Sequence, residues 1–132
     1  MRNFSVIGSY EKTKESFSFL INEYQYSLIK DENLNYGFTL EYQKDEIRVH
    51  LFYDYRANSF NFYLIRGKNT KYPNDYDSEN IRPFYELFQK FDEALDIYST
   101  EPNDDGYELA LNKNIELLKK YGKNVLKGIE WI

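Results

Sequence analysis

His50 is the only histidine of the chain and therefore the first candidate for a catalytic base. A general base needs a carboxylate or similar group beside it to orient the imidazole ring. Asp54 shares the strand face of His50, but residues four apart on a strand are separated by roughly 13 Å. Because that separation is too long for a hydrogen bond, we interpret His50 as a partly exposed strand residue. The chain also has no cysteine nucleophile, and we predict that it is not an enzyme.

Acidic residues recur at every second position in residues 75–79, which is the spacing of a calcium-binding loop. Counted from Asp75, the sixth position holds Asn80, where the sharp turn of such a loop requires glycine, and Pro83 holds the ninth. The acids fit better as caps of backbone N–H groups in a solvated loop before a helix. We predict no metal site. Since no glycine-rich phosphate-binding motif occurs, we also predict no cofactor.

Tyrosine and acidic residues give the main signal for a binding function. The chain has 14 Tyr, and although tyrosine is favoured on strands, it is also enriched at the centres of protein interfaces. Residues 91–112 contain seven acids and no Lys or Arg. This stretch is either a solvated helix end and loop or a surface that attracts a basic partner. The candidate partner-binding residues are Asp92, Asp96, Tyr98, Asp104, Asp105 and Tyr107.

Net charge and hydropathy argue against two other classes of partner. A net charge of −5 repels phosphate backbones, so we expect no nucleic-acid binding. No stretch approaches the roughly 20 apolar residues that a membrane span needs, and residues 1–8 are too polar for a secretory signal. The expected location is therefore the cytoplasm.

The strongest pattern in the chain is the alternation of apolar and polar residues between Phe38 and Ile65. Period-2 alternation with short polar breaks predicts antiparallel hairpins with one buried face. The breaks at residues 44–45 and 56–59 are too short for parallel crossovers, so they divide the segment into three strands. Residues 25–30 predict an earlier strand, followed by a turn at residues 31–33.

Helices are predicted on both sides of these strands. Residues 14–24 carry apolar side chains at helical spacing, namely Phe17, Leu20, Ile21 and Tyr24. A second helix is predicted to start near Asn80 with Pro83 in its first turn. A third follows a capping box of Asp105 and Glu108 and stops at Gly122.

Together these elements predict a single α+β domain over residues 1–132. The expected architecture has two layers, with a four-stranded antiparallel meander sheet, one N-terminal helix and two C-terminal helices.

Three segments carry a family resemblance: FSFL at residues 17–20, IRVHLFYDYR at 47–56 and LLKKYGKNVLKG at 117–128. With the element order around them, which covers most of the chain, they resemble small bacterial immunity proteins of polymorphic and contact-dependent growth inhibition toxin systems. The resemblance implies a non-enzymatic protein that binds one cognate toxin domain and neutralises it by occlusion. It assigns no binding residues, because each immunity protein is matched to its own toxin.

The alternative expectation is a structural or regulatory domain that assembles with itself. Such a domain would use the sheet edges or the tyrosine-bearing face, and a homodimer is its simplest form.

Overall fold

An antiparallel sheet of five strands forms one layer of the fold, in a computed structural model that describes residues 2–72, 77–102 and 106–132. The strands are β1 (Ser27–Leu34), β2 (Gly37–Lys44), β3 (Ile47–Asp54), β4 (Ser59–Arg66) and β5 (Ile81–Pro83). Their spatial order follows the chain from β1 to β5, so the predicted α+β class and the meander are confirmed. The predicted number of four strands is wrong, because β5 adds a fifth.

The alternating residues of the middle strands place one apolar face against the helices. Side chains from β2, β3 and β4 join helix residues in one core cluster, and Phe38, Leu40, Val49, Leu51 and Leu64 are completely buried. Every second residue of a strand faces the same side, so this alternation fixes which face is covered.

Five α-helices and a 3₁₀ helix occur in the described residues, rather than three helices. They are α1 (Arg2–Ser16), α2 (Phe19–Asn22), α3 (Phe84–Phe91), the 3₁₀ helix (Ile97–Thr100), α4 (Tyr107–Tyr121) and α5 (Lys123–Leu126). The helix predicted over residues 14–24 is wrong as a single element, because the chain breaks between α1 and α2. As a result Phe17 and Leu20 are buried, but Ile21 is 43% exposed.

The segment predicted as a turn at residues 31–33 belongs to β1. Pairing between β1 and β2 continues to Leu34 opposite Gly37. Asp31 on β1 accepts hydrogen bonds from the Tyr10 hydroxyl and from Lys14 Nζ, the latter at 2.7 Å. These contacts from α1 give the polar end of β1 a partner that the local sequence does not reveal.

The second predicted helix also begins later than expected. Residues near Asn80 were expected to start it, but Ile81–Pro83 pair with β4 as β5, and α3 starts at Phe84. Pro83 has an extended backbone and directly precedes α3 instead of lying in its first turn. Proline has no N–H to donate, so it suits the end of a short edge strand.

Gly122 ends α4 as predicted, but for a different reason. Its φ is −92°, so it does not use the left-handed conformation that glycine commonly supplies after a helix. A Cβ at this position would lie 2.6 Å from the carbonyl oxygen of Leu118 and 2.8 Å from its side chain. Glycine is therefore required here because a side chain would clash with the last turn of α4 itself.

Two polar side chains of α1 are buried against the core. Ser9 and Thr13 on α1 are completely buried, and the Thr13 hydroxyl has no hydrogen-bond partner among the described residues.

Within the described part of the chain, no helix is both long enough and apolar enough to cross a membrane.

Replacing Thr13 by valine should raise the free energy of unfolding by about 1 kcal/mol. The substitution keeps the shape of the side chain and removes a buried hydroxyl that has lost its water without gaining a partner. Urea unfolding followed by circular dichroism measures the change. Thr13→Ser is the matched control, because it keeps the hydroxyl and removes the methyl group, and it should lower stability. Equal stability of Thr13→Val and the native chain would show that the hydroxyl is satisfied in solution.

Candidate functional site

Three of the predicted partner-binding residues lie between the end of α3 and the first turn of the 3₁₀ helix. Asp92 directly follows α3, and Asp96 caps the 3₁₀ helix by accepting a hydrogen bond from the Tyr98 backbone N–H at 3.0 Å. Tyr98 is 76% exposed, the highest value among the exposed large apolar and aromatic residues described. We call Asp92, Asp96 and Tyr98 the acidic tyrosine surface.

The carboxylates of this surface have no ion-pair partner in the part of the chain that the structure describes. Among residues 2–72, 77–102 and 106–132, neither Asp92 nor Asp96 takes part in an ion pair, and the same holds for Glu93 between them. Glu108, at the start of α4, differs because Lys12 of α1 lies 3.5 Å from it. The acidic stretch seen in the sequence is thus partly compensated at α4 and uncompensated at residues 92–96.

Tyr107 lies in a different setting from the acidic tyrosine surface. It is half-buried in the first turn of α4, and its ring centre is 6.0 Å from that of Tyr53 on β3. Burial, with smaller effects from Glu108 and Tyr53, raises the pKa of Tyr107 to about 12. Part of its ring therefore packs against the hydrophobic core. Asp104 and Asp105 lie outside the described residues. Of the predicted capping box only Glu108 is described, and Gly106 is the N-cap residue of α4.

A pair of stacked aromatic rings, one exposed and one partly buried, lies next to Asp92 and was missed by the sequence analysis. Phe91, the last residue of α3, stacks on Tyr121, the last residue of α4, with ring centres 5.2 Å apart and planes 5° from parallel. Lys90 and Lys120 place their Nζ atoms 5.7 and 5.2 Å from these two rings. No local motif signals the pair, because it forms only where the ends of two helices meet.

Glu101 follows the 3₁₀ helix and joins it to the sheet. Its Oε2 accepts a hydrogen bond from the backbone N–H of Phe60 on β4 at 3.2 Å. Burial raises the pKa of Glu101, and the hydrogen bond from Phe60 offsets only part of that effect. A carboxylate that receives a strand N–H also blocks that stretch of edge from pairing with another chain.

His50 has a carboxylate partner, but it is Glu41 and not Asp54. The two residues face each other in the β2–β3 register, and His50 Nδ1 lies 3.3 Å from Glu41 Oε2. Asp54 instead accepts hydrogen bonds from the backbone N–H groups of Arg56 and Ala57. At 9% exposure His50 is buried, so the prediction of a partly exposed strand residue is wrong.

The pair belongs to a buried polar cluster under the loop between β4 and β5. Arg48 Nη1 is 3.3 Å from Glu41 Oε1, and another Arg48 nitrogen donates to the carbonyl oxygen of Thr70. The Tyr72 ring centre lies 4.6 Å from that of His50. Burial alone would raise the pKa of Glu41, but the hydrogen bond from His50 and the charges of His50 and Arg48 hold it below its ordinary value.

This geometry suits attachment of the loop better than catalysis. A general base must reach its substrate directly or through one water molecule, whereas the described contacts of His50 are a carboxylate and the Tyr72 ring. The predicted break at residues 44–45 is wrong by one residue and would set Glu41 opposite Arg48. The two-residue turn lies at residues 45–46 and sets Glu41 opposite His50.

The calcium-like segment is described in part. Asp77 accepts hydrogen bonds from the backbone N–H groups of Glu79 and Asn80 and from the Asn80 side chain, and these contacts lower its pKa. Asp75 lies outside the described residues. Across the described ranges, no group of three or more His, Asp or Glu side chains is placed to hold a metal ion.

A scan against family models, a search of curated proteins and a search of solved structures each find no match to this chain.

Proposed function

We propose that this chain is a cytoplasmic, non-enzymatic protein-binding domain that neutralises a cognate bacterial toxin domain by occlusion. The exposure of Tyr98 beside unpaired carboxylates is the observation that carries this proposal. An exposed tyrosine contributes little to the fold, yet it offers a large and rigid contact area to a partner. The resemblance to immunity proteins supplies the class of partner.

The acidic tyrosine surface suits a partner with a basic face. Unpaired carboxylates at Asp92 and Asp96 need no internal ion pair to be broken before they meet Lys or Arg of another protein. Complementary charge speeds the encounter of two proteins and disfavours partners of like charge. Binding at this surface would cover a functional region of the toxin, so the domain would need no chemistry of its own.

The experiment uses the C-terminal domain of the protein encoded directly upstream, with binding rates measured by biolayer interferometry. Tyr98→Ala should weaken binding at least about tenfold, the loss typical of an interface hot spot. Asp96→Asn keeps a side chain that caps a helix well and removes one charge. It should slow association, and the difference from the native chain should shrink at high salt.

Two control variants test whether these effects are local. Tyr36→Ala removes a tyrosine that is also exposed but lies between β1 and β2, and Glu46→Gln removes a charge in the turn between β2 and β3. Both should bind like the native chain. If Tyr98→Ala binds as well as Tyr36→Ala does, the acidic tyrosine surface is not the contact site. The absence of an upstream toxin gene would count against the immunity role itself.

Self-assembly is the second candidate, and β1 is the observation that favours it. This eight-residue strand forms one edge of the sheet, and Ile29 and Leu34 on it are exposed. An exposed apolar edge strand can pair with another chain. A register shift next to Ile29 and charged residues along the strand oppose such pairing. Light scattering at high protein concentration decides, since a strict monomer would contradict this candidate.

A further inference from the structure

A cavity of about 150 Å³ lies where the edge of β4 is left open. β5 pairs with β4 only from Tyr63 to Ile65, after which the chain turns into α3. The first half of β4 therefore has no neighbouring strand on this side among the described residues. Thr100 and Glu101, at the end of the 3₁₀ helix, close the opposite wall, and the cavity is partly open to solvent.

The polar side chains in the interior of this cavity offer acceptors. Oε2 of Glu101 is occupied by the Phe60 N–H, which leaves Oε1 for a ligand. Asn114 is buried, and its Nδ2 group donates to the carbonyl oxygens of Thr100 and Ala110. Because both amide hydrogens are engaged, the group that Asn114 can present to a ligand is its oxygen.

The side chains that line the cavity are mostly aromatic, and the charged residue among them is Glu101. Tyr63 and Tyr85 line the cavity with the Phe side chains beside them, and no Lys or Arg is among the lining residues described. Burial raises the pKa of the Tyr63 hydroxyl, and the nearby Tyr85, Glu86 and Glu101 raise it further. Arg82 pairs with Glu86, whereas Glu101 has no ion-pair partner in the described part of the chain.

We propose that this cavity binds the guanidinium group of an arginine side chain, and that this arginine belongs to the partner protein. That the arginine comes from the partner rests on the proposed function, whereas the binding of a guanidinium group does not. A guanidinium group is planar, carries several donors and stacks on aromatic rings, so it matches an acceptor-lined cavity with tyrosine walls. At roughly 30 Å³ for each water molecule, the cavity has room for such a group.

The position of Glu101 supports a cationic ligand. Its carboxylate is partly buried, accepts one hydrogen bond and has no ion-pair partner among the described residues, and the burial raises its pKa. A cation against Oε1 would favour the ionised form and offset the cost of burial. Glu101 directly follows the 3₁₀ helix that carries Tyr98, so the cavity and the acidic tyrosine surface are close to each other in the sequence.

The test titrates the full chain with methylguanidinium and follows backbone and side-chain amides by ¹⁵N NMR. We expect saturable shifts of the Phe60 and Asn61 amides and of the Asn114 side-chain amide. Glu101→Gln should weaken this binding at least tenfold, because the Gln oxygen can still accept from Phe60 while its NH₂ group turns a donor towards the ligand. Unchanged thermal unfolding of Glu101→Gln will show that the fold is intact.

Two controls separate a built site from general attraction of cations. Glu93→Gln removes the same charge from an exposed position with no described partner, and it should bind methylguanidinium like the native chain. Methylurea has nearly the same shape without the charge, and it should not shift the NMR signals of the three reporter amides, which are the backbone amides of Phe60 and Asn61 and the side-chain amide of Asn114. Equal weakening by both Gln substitutions, or equal shifts with methylurea, would overturn the proposal.

The failure of this inference is distinguishable from the failure of the proposed function. If methylguanidinium binds but the upstream-encoded domain does not, the cation site stands and the proposed function fails. If that domain binds native chain and Glu101→Gln equally, and methylguanidinium moves none of the reporter amides, the cavity proposal is overturned while toxin binding stands.

Discussion

Replacing Phe17 by alanine should lower the free energy of unfolding by about 4 kcal/mol, the usual cost of truncating a buried phenylalanine. Phe17 lies in the chain between α1 and α2, and its side chain is completely buried. Its ring centre lies 5.8 Å from that of Phe62 on β4 and 6.3 Å from that of Phe84 on α3. Alanine would leave a cavity where helices from both ends of the chain meet the sheet, and well-packed neighbours can fill it only in part.

Urea unfolding followed by circular dichroism measures this loss, and Ile21→Ala is the matched control. Both residues belong to the apolar stripe that the sequence predicts on one helix, but in the structure Ile21 lies on α2 and is 43% exposed. The control should therefore cost less than about 1 kcal/mol, because little apolar area is lost. Similar losses for both variants would contradict the break between α1 and α2.

The sheet was predictable because its information is local. Each of β2, β3 and β4 alternates apolar and polar residues over its own length, and the connections between them are too short for anything but hairpins. The order of these strands then follows from their order in the chain.

Elements whose partners are distant in sequence were not predictable in the same way. Two of the α1 residues turned to the core are Ser9 and Thr13, which a search for apolar residues at helical spacing does not select. β5 has three residues and ends in Pro83, and it is a strand only because β4 lies beside it. Both elements depend on tertiary contacts that override the local pattern.

The candidate sites also differ in whether their residues are close together or far apart in the sequence. The residues of the acidic tyrosine surface are close together in the sequence, so the local run of acids and tyrosines pointed to Asp92, Asp96 and Tyr98. The cavity at Glu101 joins β4, α3 and α4 with the 3₁₀ helix, and no local motif marks it. The Glu41–His50 pair was missed for a different reason: the predicted break at residues 44–45 would set Glu41 opposite Arg48, whereas the turn at residues 45–46 sets it opposite His50.

Replacing Glu41 by glutamine should lower the free energy of unfolding by about 3 kcal/mol, since it leaves the charge of Arg48 buried without its counter-ion. The side chains of Glu41 and Arg48 are only 11% and 15% exposed, so water cannot readily replace the lost carboxylate. Arg48 also donates to the Thr70 carbonyl. We therefore expect the loop between β4 and β5 to lose hydrogen-exchange protection in this variant.

Urea unfolding and amide hydrogen exchange measure the two effects. Glu46→Gln, in the exposed turn of the same hairpin, is the matched control and should change stability by less than about 0.5 kcal/mol. A loss of similar size in both variants would mean that the Glu41 carboxylate does not stabilise the fold through Arg48 and His50.

The pH dependence of stability should identify Glu41 by its sign. The pKa of Glu41 is lower in the folded state than the ordinary value of 4.5, so the native chain gains stability from this carboxylate above that value. The gain should disappear as the pH falls through the lower folded pKa, where the carboxylate becomes protonated. Glu41→Gln lacks the titrating group, so its deficit relative to the native chain should be full at neutral pH and should narrow in acid. Urea unfolding of both chains between about pH 3 and pH 7 measures this difference, and a deficit that is constant across the range would contradict an ionised Glu41 in the fold.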